Sequence, residues 1–153
     1  MSSFAYPEGT VPISSKPAVC TKIRGVGTAI VTPFAGENAA TVDYDSLTNL
    51  VDAQLAGGLD FIVPVGTTGE CPTLSHAEHE KVIKTVVDRV TGRIPVVAGT
   101  GSNNTTEAIS LTQFAKDCGA DGGASTSRGA QGRAARGCLL AREQDVACWR
   151  REC

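Results

Sequence analysis

Three short apolar runs mark the first hundred residues of the chain, and each is nearly continuous instead of alternating with polar residues. They cover residues 26–31, 61–65 and 94–98, so their starts lie 35 and 33 positions apart. Continuous apolar runs of this length are typical of strands that are buried on both faces of a parallel sheet. The pattern therefore predicts three parallel strands at a nearly constant spacing.

A helix is predicted after each run, because apolar residues recur there three and four positions apart. The predicted N-caps are Asp43, Ser75 and Asn104, and Glu78 completes a capping box with Ser75. Glycines that supply a left-handed stop follow each helix, namely Gly57 with Gly58, then Gly92, and then Gly119. The β-α-β-α-β-α order predicts the α/β fold class with parallel strands.

The regular pattern breaks where a fourth strand is due. Residues 120–127 contain no Val, Ile, Leu or aromatic residue, so we expect them to make a poor buried strand. Residues 138–149 have the spacing of an amphipathic helix, but their apolar content is thin and favours a disordered tail. We therefore expect an N-terminal extension over residues 1–22, an α/β domain over residues 23–121 and an unrelated tail over residues 122–153.

Charge and composition support this division and exclude several function classes. Residues 1–121 carry eight Lys and Arg against thirteen Asp and Glu, whereas residues 122–153 carry six Arg against three acids. The formal net charge of −2 gives no reason to expect a nucleic-acid or membrane-surface partner. No run approaches the ~20 apolar residues of a membrane span, and residues 1–10 lack the apolar core of a signal peptide. We therefore expect a cytoplasmic protein.

The positions of cysteine and histidine do not predict a metal centre. The six cysteines form no C-x-x-C pair, so we expect reduced thiols and no tetrahedral zinc site. His76 and His79 lie three residues apart on a predicted helix, where they could meet on one face. No third ligand accompanies them, and a polar helix surface is their default interpretation. We therefore expect no metal ion and no cofactor.

Three polar loops follow the predicted strands and would share the carboxyl edge of the sheet: residues 32–34, 66–70 and 99–104. The second and third loops are rich in Gly and hydroxyl residues, whose amides and side chains suit a carboxylate or a phosphate. A tight turn with a polar cap is the alternative interpretation. The P-loop pattern does not occur. Pro64 predicts a bulge or a locally unpaired amide at the end of the second strand.

The second loop and its surroundings resemble the dihydrodipicolinate synthase family. The segment Val-Pro-Val-Gly-Thr-Thr-Gly-Glu-Cys-Pro-Thr-Leu begins at Val63 and resembles the signature of that family, while residues 27–34 resemble its first strand. Residues 93–112 resemble its third strand and following helix, so the likeness runs from about residue 23 to residue 122. The resemblance implies an incomplete (β/α)8 (TIM) barrel of about three βα units, because 153 residues are fewer than the ~250 of a complete barrel.

The resemblance also implies a function. Members of the family are homo-oligomers that condense pyruvate with aspartate semialdehyde in lysine biosynthesis, through a Schiff base between a lysine and pyruvate. By resemblance, Thr67 is the catalytic hydroxyl of a Tyr-Thr-Tyr proton relay, and Thr68 and Gly66 bind the substrate pyruvate. A feedback site for the amino acid lysine would map onto Cys71, Pro72, His76, His79, Asn103 and Glu107. Cys71 stands where the family commonly has Ser.

Two parts of the family pattern do not occur among these 153 residues. They are a fourth strand, Val-Thr-Pro-Tyr-Tyr, and a later strand that bears the Schiff-base lysine. The tyrosines are Tyr6 and Tyr44, and the lysines lie in the N-terminal segment or in predicted helices: Lys16, Lys22, Lys81, Lys84 and Lys116. Because loss of the attacking group removes most catalysis, we expect these residues alone to be inactive.

Two alternatives stay open. One is another pyruvate-dependent aldolase, of the keto-deoxy sugar acid type, which would share the barrel and the Schiff base. The other is a non-enzymatic half-barrel that binds full-length subunits, since a partial barrel leaves open strand edges that favour association.

Overall fold

The computed structural model of the chain describes residues 23–39, 41–125 and 146–148. The strands are β1 (Gly27–Ala29), β2 (Phe34–Ala35), β3 (Thr41–Val42), β4 (Phe61–Val63), β5 (Val97–Gly99), β6 (Gly122–Ala124) and β7 (Val146–Cys148). The helices are α1 (Tyr44–Ala56), α2 (His76–Val90) and α3 (Thr105–Cys118), and single 3-10 turns occur at Glu37–Ala39, Thr67–Gly69 and Cys71–Thr73. The predicted N-terminal extension and most of the predicted tail lie outside the described residues.

Four strands run parallel in the order β1, β4, β5, β6. Thr28 of β1 stands opposite Ile62 of β4, and Ala98 of β5 stands opposite Gly123 of β6. A bridge between Ile62 and Val96 joins β4 to β5. Strands β2 and β3 form a small antiparallel ladder between β1 and α1. The three predicted parallel strands are thus confirmed, although β5 begins three residues later than the apolar run does.

The three predicted helices and their N-caps are confirmed. The Asp43 carboxylate accepts from the Ser46 N–H, Ser75 and Glu78 form the capping box, and the Asn104 side chain accepts from the Thr106 N–H. At the end of α1 the left-handed residue is Gly58, with φ +75°, whereas Gly57 keeps a right-handed conformation at φ −72°. Each of these caps satisfies a backbone group that the helix end would leave unpaired.

The core lies between the parallel strands and the three helices. Leu47 and Val51 of α1, Ile62 of β4, and Ile83 and Val86 of α2 are completely buried. Each such side chain contributes about 1.5–3 kcal/mol through its removal from water. Outside the core, α1 and α2 are joined by an ion pair between Asp52 and Arg89, and the Lys81 ammonium lies 3.9 Å from the centre of the Tyr44 ring.

Strands β4 and β6 each begin after an aspartate that bonds to the residue just before the partner strand. The Asp60 carboxylate accepts from the Val26 N–H at 2.7 Å, and the Asp60 N–H donates to the Val26 carbonyl at 2.9 Å. The Asp121 carboxylate and N–H make the same two bonds to Val96, at 3.0 and 2.8 Å. The β1–β4 and β5–β6 junctions therefore share one local structure.

The prediction that the repeat stops before a fourth strand was wrong. Gly122 and Gly123 are buried in β6, which pairs with β5 through the backbone alone. The side chains of this strand gave no sign of it, but pairing with β5 needs only backbone groups, and the Asp121 bonds fix its start.

Strand β7 pairs antiparallel with β6 and covers its second edge, with Ala147 opposite Gly123. The spacing indicated a helix over residues 138–149, whereas residues 146–148 form a strand. An open strand edge favours pairing with any extended segment, which gives a physical reason for a strand here. The other residues of those predictions lie outside the described residues.

The described residues contain neither a membrane-spanning helix nor a metal-binding cluster. No described helix combines the length and the apolar character needed to cross a membrane. Within the same residues, no group of three or more His, Cys, Asp or Glu side chains is placed to hold a metal ion.

Candidate active site

The Gly-Thr-Thr-Gly sequence after β4 folds into a single tight turn. Val65 adopts a left-handed conformation with φ +54°, and the chain then forms the 3-10 turn Thr67–Gly69. The Gly69 N–H donates to the Gly66 carbonyl at 3.0 Å, and the Glu70 N–H donates to the Thr67 carbonyl at 3.1 Å. The side chains of Thr67 and Thr68 are exposed. The loop therefore presents two hydroxyl groups to solvent at the carboxyl edge of the sheet.

The loop that follows β1 supports the turn through a hydrogen bond. The Thr32 hydroxyl donates to the Gly69 carbonyl at 2.7 Å, and both residues are buried. Thr32 is predicted from the sequence to lie in a loop at this edge, but no role is predicted for it. Its position directly after the first apolar run was the signal, because loops at the carboxyl ends of neighbouring parallel strands lie close together.

A groove of about 630 Å³ opens beside this turn, between the start of α2 and the start of α3. Every residue proposed by resemblance for a lysine site lines it together with Thr67: Cys71, Pro72, His76, His79, Asn103 and Glu107. Gly66 and Thr68 belong to the adjoining turn and are not among the lining residues. The structure thus brings together residues that are up to 40 positions apart in the sequence, from Thr67 to Glu107.

His79 is a buried residue with a fixed partner. Its side chain is 5% exposed, and its Nε2 lies 2.7 Å from the Gly99 carbonyl oxygen. A carbonyl can only accept, so Nε2 carries the proton. Burial lowers the pKa of His79, which favours the neutral ring. The default interpretation of a polar surface histidine was therefore wrong for His79.

His76 and Glu107 form a polar pair at the mouth of the groove. The His76 Nδ1 lies 3.3 Å from a Glu107 carboxylate oxygen, and its Nε2 lies 3.3 Å from Glu80. The Ser102 hydroxyl donates to the other Glu107 oxygen, and this bond, followed by the one from His76, lowers the pKa of Glu107. The groove therefore keeps a carboxylate at its rim near neutral pH. On its inner side, burial raises the pKa of the Cys71 thiol.

The lysines of the described residues lie on helices, as predicted. Lys81 and Lys84 belong to α2 and Lys116 belongs to α3. The Lys81 ammonium packs on the Tyr44 ring, and Lys84 pairs with Asp88 at 2.9 Å. The loops at the carboxyl edge and the first turns of α2 and α3 instead offer hydroxyl groups, amides, imidazoles and carboxylates, which suit the binding of a small charged ligand.

Comparison with known proteins identifies the family. The Dihydrodipicolinate synthetase family matches residues 22–126. The 4-hydroxy-tetrahydrodipicolinate synthase of Cellvibrio japonicus is 59% identical over 99 residues, which are 65% of this chain and 33% of that protein. The chain thus spans about a third of the length of the relatives it matches.

Solved structures agree with this match. The chloride-inhibited dihydrodipicolinate synthase of Acinetobacter baumannii, solved with pyruvate, is 48% identical with a TM-score of 0.65, over 69% of this chain and 35% of that one. The enzyme of Cyanidioschyzon merolae, solved with lysine bound, is 38% identical with a TM-score of 0.61, over 65% of this chain and 33% of that one. The parallel strands are accordingly part of a TIM barrel. The chain belongs to the dihydrodipicolinate synthetase family.

Proposed function

We propose that these residues form the pyruvate-binding portion of an enzyme that condenses pyruvate with aspartate semialdehyde in lysine biosynthesis. The observation that carries the proposal is the turn Thr67–Gly69, which exposes two threonine side chains at the carboxyl edge of parallel strands. Family membership supports the reaction, and the related Acinetobacter baumannii enzyme was solved with pyruvate.

Gly66, Thr67 and Thr68 each have a proposed role. The Thr68 hydroxyl and amide hold the pyruvate carboxylate, because the first N–H groups of a helical turn have no partner within it and favour an anion. Gly66 lets the backbone approach the ligand closely. The Thr67 hydroxyl takes the middle position of a proton relay whose two tyrosines, by family resemblance, are supplied from outside the described residues. Family resemblance supports these roles, and the buried bond from Thr32 to Gly69 supports a fixed turn.

The covalent step needs an amine, and the described part of the chain offers none at the proposed pyruvate site. In the family reaction a lysine amine attacks the ketone carbon of pyruvate, water leaves, and loss of a methyl proton gives an enamine nucleophile. Lys81, Lys84 and Lys116 all lie on helices, and the first two are engaged with Tyr44 and Asp88. We therefore propose that these 153 residues alone do not form the Schiff base.

Borohydride trapping with pyruvate tests this step. The purified chain is incubated with pyruvate, reduced and weighed by mass spectrometry, and the intact Cellvibrio japonicus enzyme serves as the positive control. We expect the control to gain one reduced adduct and this chain to gain none. A stoichiometric adduct at one lysine of this chain would overturn the proposal that the amine lies elsewhere.

Carboxylate binding is tested separately, by titrating the isotope-labelled chain with pyruvate and following its amide NMR signals. Thr68→Val removes the hydroxyl and keeps the shape of the side chain, and Thr48→Val makes the same change at a half-buried position on α1, where the hydroxyl donates to the Asp45 carbonyl of the same helix. We expect Thr68→Val to weaken binding by ~10-fold, equivalent to about 1.4 kcal/mol, and Thr48→Val to leave it unchanged. Equal binding by the two variants would contradict the role of Thr68.

A second proposed role belongs to the groove, which we infer binds the amino acid lysine as an effector. The Glu107 carboxylate would pair with an ammonium group, and Asn103, His76, His79 and Cys71 line the same space. The relative from Cyanidioschyzon merolae was solved with lysine bound. Calorimetric titration with lysine tests the role: Glu107→Gln keeps the shape and removes the charge, and it should reduce the affinity. Unchanged affinity would contradict a role for this carboxylate.

The same residues are compatible with two alternative functions. Another pyruvate-dependent aldolase, of the keto-deoxy sugar acid type, would use the same turn with a different second substrate. A non-enzymatic half-barrel is favoured by the exposure of Val31, whose side chain is 51% accessible, and by the pairing of β1 with a single strand, β4, among the described residues. Co-purification with a tagged full-length relative, absent with an unrelated tagged protein, would support the half-barrel.

A further inference from the structure

The turn that carries Thr67 and Thr68 begins at a residue in an unfavourable backbone conformation. Val65 has φ +54°, and it is buried to 1% exposure. A β-branched residue rarely adopts the left-handed region, because its Cβ crowds the backbone there. Such a conformation persists only where the surrounding structure enforces it. The neighbours of Val65 therefore need to supply a restraint.

Gly99, at the end of β5, is the neighbour that contacts the Val65 backbone. A Cβ atom placed on Gly99 would lie 2.1 Å from the Val65 carbonyl oxygen, 2.5 Å from its carbon and 2.8 Å from the Gly66 nitrogen. All three are backbone atoms, which have no rotamer to relieve the contact. Gly99 itself is not in the left-handed region. Glycine is therefore required at this position for space and not for its own conformation.

Gly99 is fixed by a hydrogen bond on each side of its backbone. Its N–H donates to the Pro64 carbonyl at 2.9 Å, and its carbonyl accepts from His79 Nε2 at 2.7 Å. In a regular parallel ladder the second bond would come from the Gly66 N–H. The left-handed turn at Val65 redirects the chain, and the buried His79 ring donates to the Gly99 carbonyl instead. The bond to Pro64 of the neighbouring chain segment and the bond from His79 of α2 thus both keep Gly99 against Val65.

We propose that Gly99 is the positioning residue of the Thr67–Gly69 turn. The space left by its missing side chain admits the Val65 carbonyl, and this close contact keeps Val65 in its left-handed conformation. The direction in which Val65 leaves β4 then determines where Thr67 and Thr68 face. The consequence for pyruvate rests on the proposed function, whereas the steric restraint itself does not.

The test introduces one methyl group. Gly99→Ala is made in the full chain, with Gly57→Ala as the matched control, because Gly57 has φ −72° and a Cβ there meets no atom closer than 3.3 Å. Amide NMR signals of Thr67, Thr68 and Gly69 report the turn, and those of α1 report the fold. We expect Gly99→Ala to displace the three turn signals and to weaken pyruvate binding by at least ~10-fold, while Gly57→Ala leaves both unchanged.

A second pair of variants covers the case in which Gly99→Ala does not fold. Gly99→Ala is then combined with Val65→Gly or with Val65→Ala, since both lose the buried Val65 side chain but only glycine lets residue 65 move freely. We expect the glycine combination to fold and the alanine combination to remain unfolded. If both combinations stay unfolded to the same degree, the methyl group does not act through Val65, and the inference is wrong.

The remaining outcomes separate this inference from the proposed function. Turn signals that stay in place in a folded Gly99→Ala chain would overturn the positioning role. If the wild-type chain shows no response to pyruvate and Gly99→Ala still displaces the turn signals, the positioning role is supported and pyruvate binding is contradicted.

Discussion

Strands β4 and β6 begin in the same way and contain opposite kinds of residue. Asp60 and Asp121 each bond reciprocally to the backbone of the residue just before the partner strand, Val26 before β1 and Val96 before β5. After Asp60 the strand reads Phe-Ile-Val, and after Asp121 it reads Gly-Gly-Ala. Both strands nevertheless pair parallel and in register. The aspartate bonds therefore start a strand whether or not its side chains favour one.

The two junctions differ in the interactions that stabilise the strand beyond the aspartate bonds. Strand β4 buries Ile62 completely among the helices, which stabilises it through the hydrophobic effect. Strand β6 has two glycines and an alanine, so its stability rests on backbone bonds and on Asp121. Substitutions should accordingly affect β4 through side-chain burial and β6 through the loss of a single carboxylate.

The largest effect is expected from Ile62→Ala in β4. It should lower the free energy of unfolding by about 2–5 kcal/mol, because it removes a fully buried side chain and leaves a cavity. Ile109→Ala is the matched control, since that isoleucine is 55% exposed, and it should change stability by no more than about 0.5 kcal/mol. Urea denaturation of the two variants measures both. Equal losses would show that β4 is not held by burial.

A smaller effect is expected from Asp121→Ala at the start of β6. The Val96 N–H would lose its acceptor in a partly buried position, which should cost about 1–3 kcal/mol. Asp121→Asn keeps an acceptor oxygen and should lose less. Asp60→Ala should also lose less, because Asp60 is exposed and water can replace its carboxylate. A loss for Asp60→Ala as large as that for Asp121→Ala would contradict the difference between the two junctions.

The smallest effect concerns pH and acts at β5, the strand between the two junctions. The folded-state pKa of His79 is lowered by burial, so the unfolded chain binds a proton at a higher pH than the folded chain does. The His79 contribution to stability is therefore complete above the unfolded pKa of about 6.5 and is lost as the pH falls below it.

Comparison with His79→Gln isolates this contribution, because the glutamine side chain can donate to Gly99 without titrating. Between pH 8 and pH 5.5, the urea midpoint of the wild type should fall more than that of His79→Gln. The neighbouring side chains of His76, Glu80 and Glu107 are present in both proteins, so their contribution is common to both. Parallel pH profiles would mean that His79 is not kept neutral by the fold.

The helices and the parallel strands β1, β4 and β5 could be predicted because their signals are local. Ser75 with Glu78, Asp43 and Asn104 each cap the helix that follows within a few residues. Strand β6 was missed because its composition was judged without its partner strand. A signal was nevertheless present: the sequences Gly58-Leu59-Asp60 and Gly119-Ala120-Asp121 precede β4 and β6, and both glycines have positive φ. Only the structure shows that the two aspartates make the same bonds.

The candidate site could be predicted in its residues but not in its contacts. The loop sequence and the family resemblance identified Thr67, Thr68 and the residues that line the groove. They did not indicate that the Thr32 hydroxyl supports Gly69, or that His79 turns inward to the Gly99 carbonyl. Both contacts join residues far apart in the sequence, and each depends on where the chain turns after a strand.

Tyr44 provides an optical probe for the contact between the first two helices. Burial, and to a smaller extent the Glu78 charge, raises the pKa of its phenol, and the Lys81 ammonium lies against its ring. The chain has two tyrosines, so a Tyr6→Phe variant would leave Tyr44 as the single phenol that ionises in an alkaline absorbance titration. The separation of α1 from α2 would then appear as a fall in the ionisation midpoint, without any added label.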